Sequence, residues 1–145
     1  MNRNVKWFFT IAPFLYAALI WYLSSQPGKP PSIGLTFWDV FKDSLHLIEF
    51  GILYWLIAFA FAAHGRFTAG VSAAMIFVCI LFGGIDEIHQ LFTPWRSTTW
   101  IDLFKDAIGV SVSYIILRNT YFTDKNTRMK KFISSLDQGG NHNGY

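Results

Sequence analysis

The stretch AGVSAAMIFVCILFGGIDEIHQLF at 69–92, the connection TPWRSTT at 93–99 and the run WIDLFKDAIGVSVSYIILRNTYF at 100–122 decide how this chain folds. Each long run is close to the roughly 20 residues that a helix needs to cross hydrocarbon, and the connection is only long enough to turn the chain back. An antiparallel pair of membrane helices follows. The acids lie inside the two runs and not between them: Asp86 and Glu87 in the first, Asp102 and Asp106 in the second.

Two further apolar runs precede this pair. The run at 45–63 is joined to it by HGRFT, and the run at 7–23, WFFTIAPFLYAALIWYL, is interrupted only by Thr10 and Pro13. The latter follows Arg3 and Lys6 as a signal peptide would, but its exit, WYLSSQPGKPP, has no small-x-small cleavage site, so the segment is expected to be retained. With 52% hydrophobic, 19% aromatic and 14% charged residues among 145, the chain is too apolar and too poor in charge for a soluble domain of this size. The expected fold is all-α, a polytopic bundle of four transmembrane helices at about 7–23, 45–63, 69–92 and 100–122 with short loops. The polar segment 123–145 shows no sustained periodicity; a disordered cytoplasmic tail is expected there, with RMKK lying against anionic lipid. The single cysteine, Cys79, lies in an apolar run and gives neither a disulfide framework nor a thiolate metal site.

Charge orients the bundle. Arg3, Lys6, Arg66, Arg118, Lys125, Arg128, Lys130 and Lys131 fall on one side, against Lys29, Lys42, Arg96 and Lys105 on the other. By the positive-inside rule both termini are cytoplasmic. This asymmetry accounts for the net charge of +3 without nucleic-acid binding. Trp21, Trp38, Trp95 and Trp100 then gather at the outer interface, and Trp7, Tyr121 and Phe122 at the inner one, where amphipathic rings are favoured.

The same topology puts Asp39, Asp43, Glu49, Asp86, Glu87, Asp102 and Asp106 outside, and only Asp124 and Asp137 inside. Length decides whether those acids matter. The uninterrupted apolar parts at 50–63 and 107–117 are too short to span, so crossing draws His46 and Glu49 on one helix, and Asp102, Lys105 and Asp106 on another, toward the hydrocarbon edge. Asp86, Glu87, His89 and Gln90 reach the same level. Exposure to lipid at that depth costs a few kcal/mol per charged group, so they are expected to face one another. Helical spacing agrees: Gly83, Asp86, Glu87 and Gln90 share one side, as do Asp102, Asp106, Gly109 and Ser113, and His46 and Glu49 are three apart. Gly109 and Ser113 would admit a close neighbour below the acids. Arg96 is the nearest compensating cation, with Lys42 and Lys105 as further ones.

These residues carry a resemblance. FKDSLHLIEFG at 41–51, followed by GGIDEIHQLFTPWRSTTWIDLFKDAIG at 83–109, resembles the VanZ-like membrane proteins. His46 and Glu49, Asp86-Glu87 with Gln90, Phe92, Pro94 and Arg96, then Asp102 and Gly109 follow that family's order and spacing over about 24–117, and the exit Ser24-Ser25-Gln26-Pro27 is similar too. Lys42-Asp43 stands where the family has Asp-Lys, Trp95 where it usually has glycine, Asp106 where it has asparagine, and Ser113 where it has a second glycine. The resemblance implies a polytopic protein of the bacterial cytoplasmic membrane and a link to low-level teicoplanin resistance.

Three functional readings compete with a purely structural one, in which an Arg96-centred network staples short helices together. In the first, an outward-facing site binds a lipid headgroup or an anionic lipid-linked cell-envelope intermediate. Arg96 grips phosphate, and Asp86, Gln90, Asp102 and Asp106 bind sugar or amine groups. If a reaction follows, Glu49 or Glu87 acts as general base and His46 as acid or as the group that orients it. In the second, His46 with Glu49 and Asp86 with His89 echo the carboxylate-histidine pairs of metal-binding bundles. In the third, the acids conduct protons or cations, against which the inner halves of the last three runs offer no ionisable partner. The partners expected are the bilayer and the lipid-borne ligand.

Overall fold

A computed structural model of the chain describes residues 3–28, 37–96 and 100–123 and positions 131, 132, 134 and 135, with the side chains at 37–44, 46 and 123 outside that description. The described residues are helical, without strands, and form α1 (Arg3–Ser24), α2 (Phe37–Ala63), α3 (Ala69–Gln90) and α4 (Trp100–Leu117), the last continued by a π-helical turn at Arg118–Thr123. The helices run past the apolar segments that announce them. α1 starts at Arg3 rather than at 7, and α2 at Phe37 rather than at 45, because the hydrogen-bond ladder continues wherever water can solvate the polar side chains of an added turn. α3 ends two residues short of 92, where the chain turns.

Two helices, α1 and α3, are long and apolar enough to cross a membrane; α2 has a shorter apolar stretch at Leu47–Ala63, and α4 carries Asp102, Lys105 and Asp106 in its first turns. Large apolar side chains stand exposed along all four, among them Phe14 and Leu15 on α1, Ile52 on α2, Phe77 and Leu81 on α3, and Ile108 and Ile115 on α4. A soluble monomer rarely shows contiguous apolar surface on this extent, whereas a membrane protein requires it.

Local chemistry sets the turns. Between α2 and α3, Gly65 takes φ 66°, its N–H donates to Ala62 O at 3.0 Å, and Arg66 N–H donates to Phe61 O at 3.0 Å. This pair of bonds is a Schellman stop, which needs a residue free of Cβ strain. Thr68 then caps α3, its hydroxyl accepting from Val71 N–H at 3.2 Å. The tightest seam lies between α2 and α4. A methyl group on Gly109 would collide with the Leu47 carbonyl, and one on Gly51 would come within 3.1 Å of Ser113 Oγ, so the two backbones meet through small residues. Above and below the seam Phe50, Tyr54, Val110 and Leu117 are buried, and Tyr54 satisfies its hydroxyl on Ser72 of α3 at 2.6 Å.

Thr10 on α1 bonds His64 at the end of α2 at 2.8 Å, and Phe67 before α3 packs against Tyr121 and Phe122 after α4. One end of the bundle therefore collects Arg3, Lys6, Arg66 and Arg118. The opposite end collects the acids. The expected tail begins at 123; of it only the positions named above are described, and there Phe132 meets Phe59 edge-on at 5.9 Å.

Candidate functional site

The end of α1, the last two turns of α3 and the α3–α4 connection meet around Asp86, which is 1% exposed. Its Oδ2 accepts from Ser24 Oγ at 2.6 Å and from Gln90 Nε2 at 2.7 Å. Gln90 is one turn further along α3, so the helix itself sets that contact. The amide's other atom, Oε1, accepts from Arg96 at 3.3 Å, which fixes the amide's orientation. Asp86 Oδ1 is buried without a hydrogen-bond partner among the described residues.

Among the described residues Arg96 meets no carboxylate. It donates to the carbonyls of Leu23 at 2.8 Å and Gln26 at 3.5 Å as well as to Gln90, so all three of these contacts are to neutral oxygens. Carbonyls at a helix C-terminus lack intrahelical partners and carry partial negative charge, and a guanidinium satisfies both demands. Gly28 N–H donates to Pro94 O at 3.0 Å, and a Cβ on Gly28 would strike the Trp95 carbonyl. The connection is thus clasped to the end of α1. Trp95 adopts φ 61°, the left-handed region, where a glycine would carry no Cβ strain.

Asp106, also 1% exposed, lies one turn below Asp86 on the facing helix: its Oδ2 is 3.0 Å from where a Cβ on Gly83 would be, beside the Phe50 ring. Gly83 thereby makes room for a carboxylate. Asp102 pairs with Lys105 at 2.9 Å near the surface. Glu49 is half-buried on α2 next to Phe50, and the side chain of His46, like those of Asp39, Lys42 and Asp43, lies outside the described residues. The site therefore divides. Asp86, Gln90 and Arg96 are brought together in one bonded chain, Asp106 lies near them, and Asp102 stands apart with Lys105.

The histidine expected in a metal pair points elsewhere. His89 stacks on Trp21 of α1 with ring centroids 4.2 Å apart, and its Nε2 is 2.9 Å from Ser25 Oγ. Ser25 donates its one proton to Trp21 O at 2.7 Å, so its oxygen accepts from His89 Nε2–H and the tautomer is set. Among the described residues no three His, Cys, Asp or Glu side chains converge in a way that would hold a metal.

Glu87 turns away from Asp86, into the wall of a cleft of about 480 Å³ between α3 and α4. Phe77, Leu81, Ile85 and Ile88 line it from α3, and Trp100 and Leu103 from α4. Gly84 opens onto it, since a Cβ there meets nothing within 4 Å. A second cleft of about 380 Å³, between α1 and α2, is apolar, with Tyr16 among its lining.

Sequence reasoning assigned no role to Ser24, Ser25, Gly83 or Gly84. The one available signal was the polar run at 24–26 at the level of the acids, and it says nothing about which acid it meets. The chain finds no match among curated proteins or solved structures. The VanZ/LLP1 family model matches residues 2–122, all four helices, and the chain belongs to that family.

Proposed function

We propose that this chain is a multi-pass protein of the bacterial cytoplasmic membrane whose acidic end faces outward, both termini being cytoplasmic. There it binds, or binds and modifies, the headgroup of a lipid or lipid-linked cell-envelope intermediate, the property through which it would bear on teicoplanin resistance. The observation that carries this reading is the α3–α4 cleft: apolar along its length, open to the side, and ending at Glu87 and Trp100 on the level of the buried acids. An acyl chain fits the trough, and a headgroup then meets carboxylates. Crossing by α2 and α4 is supported by their exposed apolar faces, Ile48 and Ile52 on one and Phe104, Ile108 and Val112 on the other. If a reaction accompanies binding, Glu87 in the cleft wall or Glu49 is the general base, and His46, whose side chain lies outside the described residues, is the acid or the group that orients it.

The test is native mass spectrometry of the purified protein. A lipid-sized adduct is expected on the wild type and is expected to be lost in Gly84→Phe, which fills the cleft. An adduct-free wild type, or an adduct indifferent to that substitution, ends the reading.

A structural role has its own support for Asp86, Gln90 and Arg96, because their bonds close on one another and on α1. Under it, Arg96→Ala raises hydrogen exchange at the end of α1 and leaves the adduct in place. Loss of the adduct with unchanged exchange would assign Arg96 to the ligand instead.

A further inference from the structure

We infer that the cleft between α1 and α2 holds a phospholipid of net negative charge, its acyl chain between the two helices and its phosphate at the basic end of the bundle. The cleft, of about 380 Å³, follows α1 from Phe8 to Leu19, with Leu56 of α2 opposite. That stretch of helix rises about 16 Å, close to half of a hydrocarbon core of roughly 30 Å, so the cleft has the length that one leaflet gives an acyl chain. Phe8, Leu15 and Leu19 on its rim are exposed, which leaves it open along the flank of α1 that faces lipid.

The Phe8 end of this cleft is where the chain gathers cations. The rings of Phe8 and Phe9 meet at 5.5 Å, Phe9 meets Phe59 of α2 at 5.9 Å, and Phe59 meets Phe132 at 5.9 Å. Lys131, exposed and next to Phe132 in the chain, is thereby brought to the floor of the cleft. Lys6 stands two residues before Phe8, and the Thr10–His64 bond at 2.8 Å holds α1 against the end of α2, two residues short of the exposed Arg66. Three segments of the chain thus bring one cation each to this end, whereas the described acids, Glu49, Asp86, Glu87, Asp102 and Asp106, all lie at the other. The whole sequence gives the same balance: Arg3, Lys6, Arg66, Arg118, Lys125, Arg128, Lys130 and Lys131 belong to this side against Asp124 and Asp137, so cations stay in excess even with both aspartates engaged. Seating Phe132 on Phe59 carries Lys131 toward like charge, and an anion shared among the three offsets that repulsion. Orientation by itself asks only for cations on this side of the membrane; it does not place them at the mouth of a trough the length of an acyl chain. A headgroup with a phosphate and no amine answers these cations, while ethanolamine and choline heads bring a cation of their own into the same space.

Phosphatidylglycerol and phosphatidylethanolamine with identical acyl chains separate these chemistries. Each is titrated into the delipidated, detergent-purified full chain carrying Gly84→Phe, which keeps the α3–α4 cleft filled, and binding is read by native mass spectrometry. Phosphatidylglycerol is expected to bind about tenfold more tightly, the effect of one or two cations beside a headgroup. Adding Lys6→Gln and Arg66→Gln together should bring that preference below about twofold while both lipids still bind. Adding Ala12→Phe, which fills the trough, should weaken both lipids about tenfold through lost burial of the chain. Equal binding of the two lipids before these additions overturns the inference, as does a preference that survives the two glutamines. If a folded Ala12→Phe chain binds both lipids as before, the anion is held at the surface without the cleft, and the inference falls as well. Should Ala12→Phe fail to fold, the two glutamines decide, since Lys6 and Arg66 lie outside the buried core.

Discussion

Trp95 illustrates how one residue can stand against its own backbone. An L-residue in the left-handed region costs about 1–2 kcal/mol, and Trp95 is 64% exposed, so packing returns little of that. The turn persists because Arg96 and Pro94, on either side, are bonded to the end of α1. Comparing two substitutions isolates the strain, since both remove the ring: Trp95→Gly should exceed Trp95→Ala in stability by about 1 kcal/mol by thermal unfolding in detergent. Equal midpoints would mean that the turn relaxes without cost. Asp86 stands at the other extreme, with two donors on one oxygen and none on the other among the described residues. An acceptor left buried in that way is costly in an apolar surrounding.

Among the helices, α2 and α4 form the closest pair and depend on small residues at the crossing. Gly109→Ala drives a methyl group into the Leu47 carbonyl, a collision with backbone that no side-chain rotation relieves, and should destabilise the bundle by about 1–3 kcal/mol. Gly84→Ala, one helix away, meets nothing and should be neutral or gain up to about 1 kcal/mol from helix propensity. Similar losses from both substitutions would show that propensity, not the crossing, governs the response. α1 is held differently. Its C-terminal end is fixed by polar contacts, Ser24 to Asp86, Ser25 to His89 and Leu23 to Arg96, and its N-terminal half by the Thr10–His64 bond and the Phe9–Phe59 contact. A helix fastened at its polar ends in this manner leaves its apolar flank to lipid, as the exposure of Phe8, Phe14 and Leu15 requires.

Across the whole molecule, charge is sorted end to end: Arg3, Lys6, Arg66 and Arg118 at one end and Glu49, Asp86, Glu87, Asp102 and Asp106 at the other. That polarity predicts orientation. In a chain whose buried Cys79 has been replaced, Trp95→Cys should react with a membrane-impermeant maleimide in intact cells, and Arg66→Cys only after permeabilisation. The opposite labelling would turn the acidic end to the cytoplasm and withdraw the outward-facing site. The helices, their antiparallel succession and this sorting were legible in the amino acids because apolar length and charge are local properties that each segment carries by itself. Which acid meets which partner was not. Periodicity put Asp86 and Glu87 on the same side of α3, yet the packing of α1 and α4 sends one to Ser24 and Gln90 and the other into the cleft. Among the described residues Arg96, expected to answer a carboxylate or a phosphate, donates to carbonyls at the end of α1 and to Gln90, which lie within reach once the connection folds back over α1. Partnership depends on the rotation of each helix about its axis, and that angle is set jointly by every neighbour, so only the assembled bundle decides it.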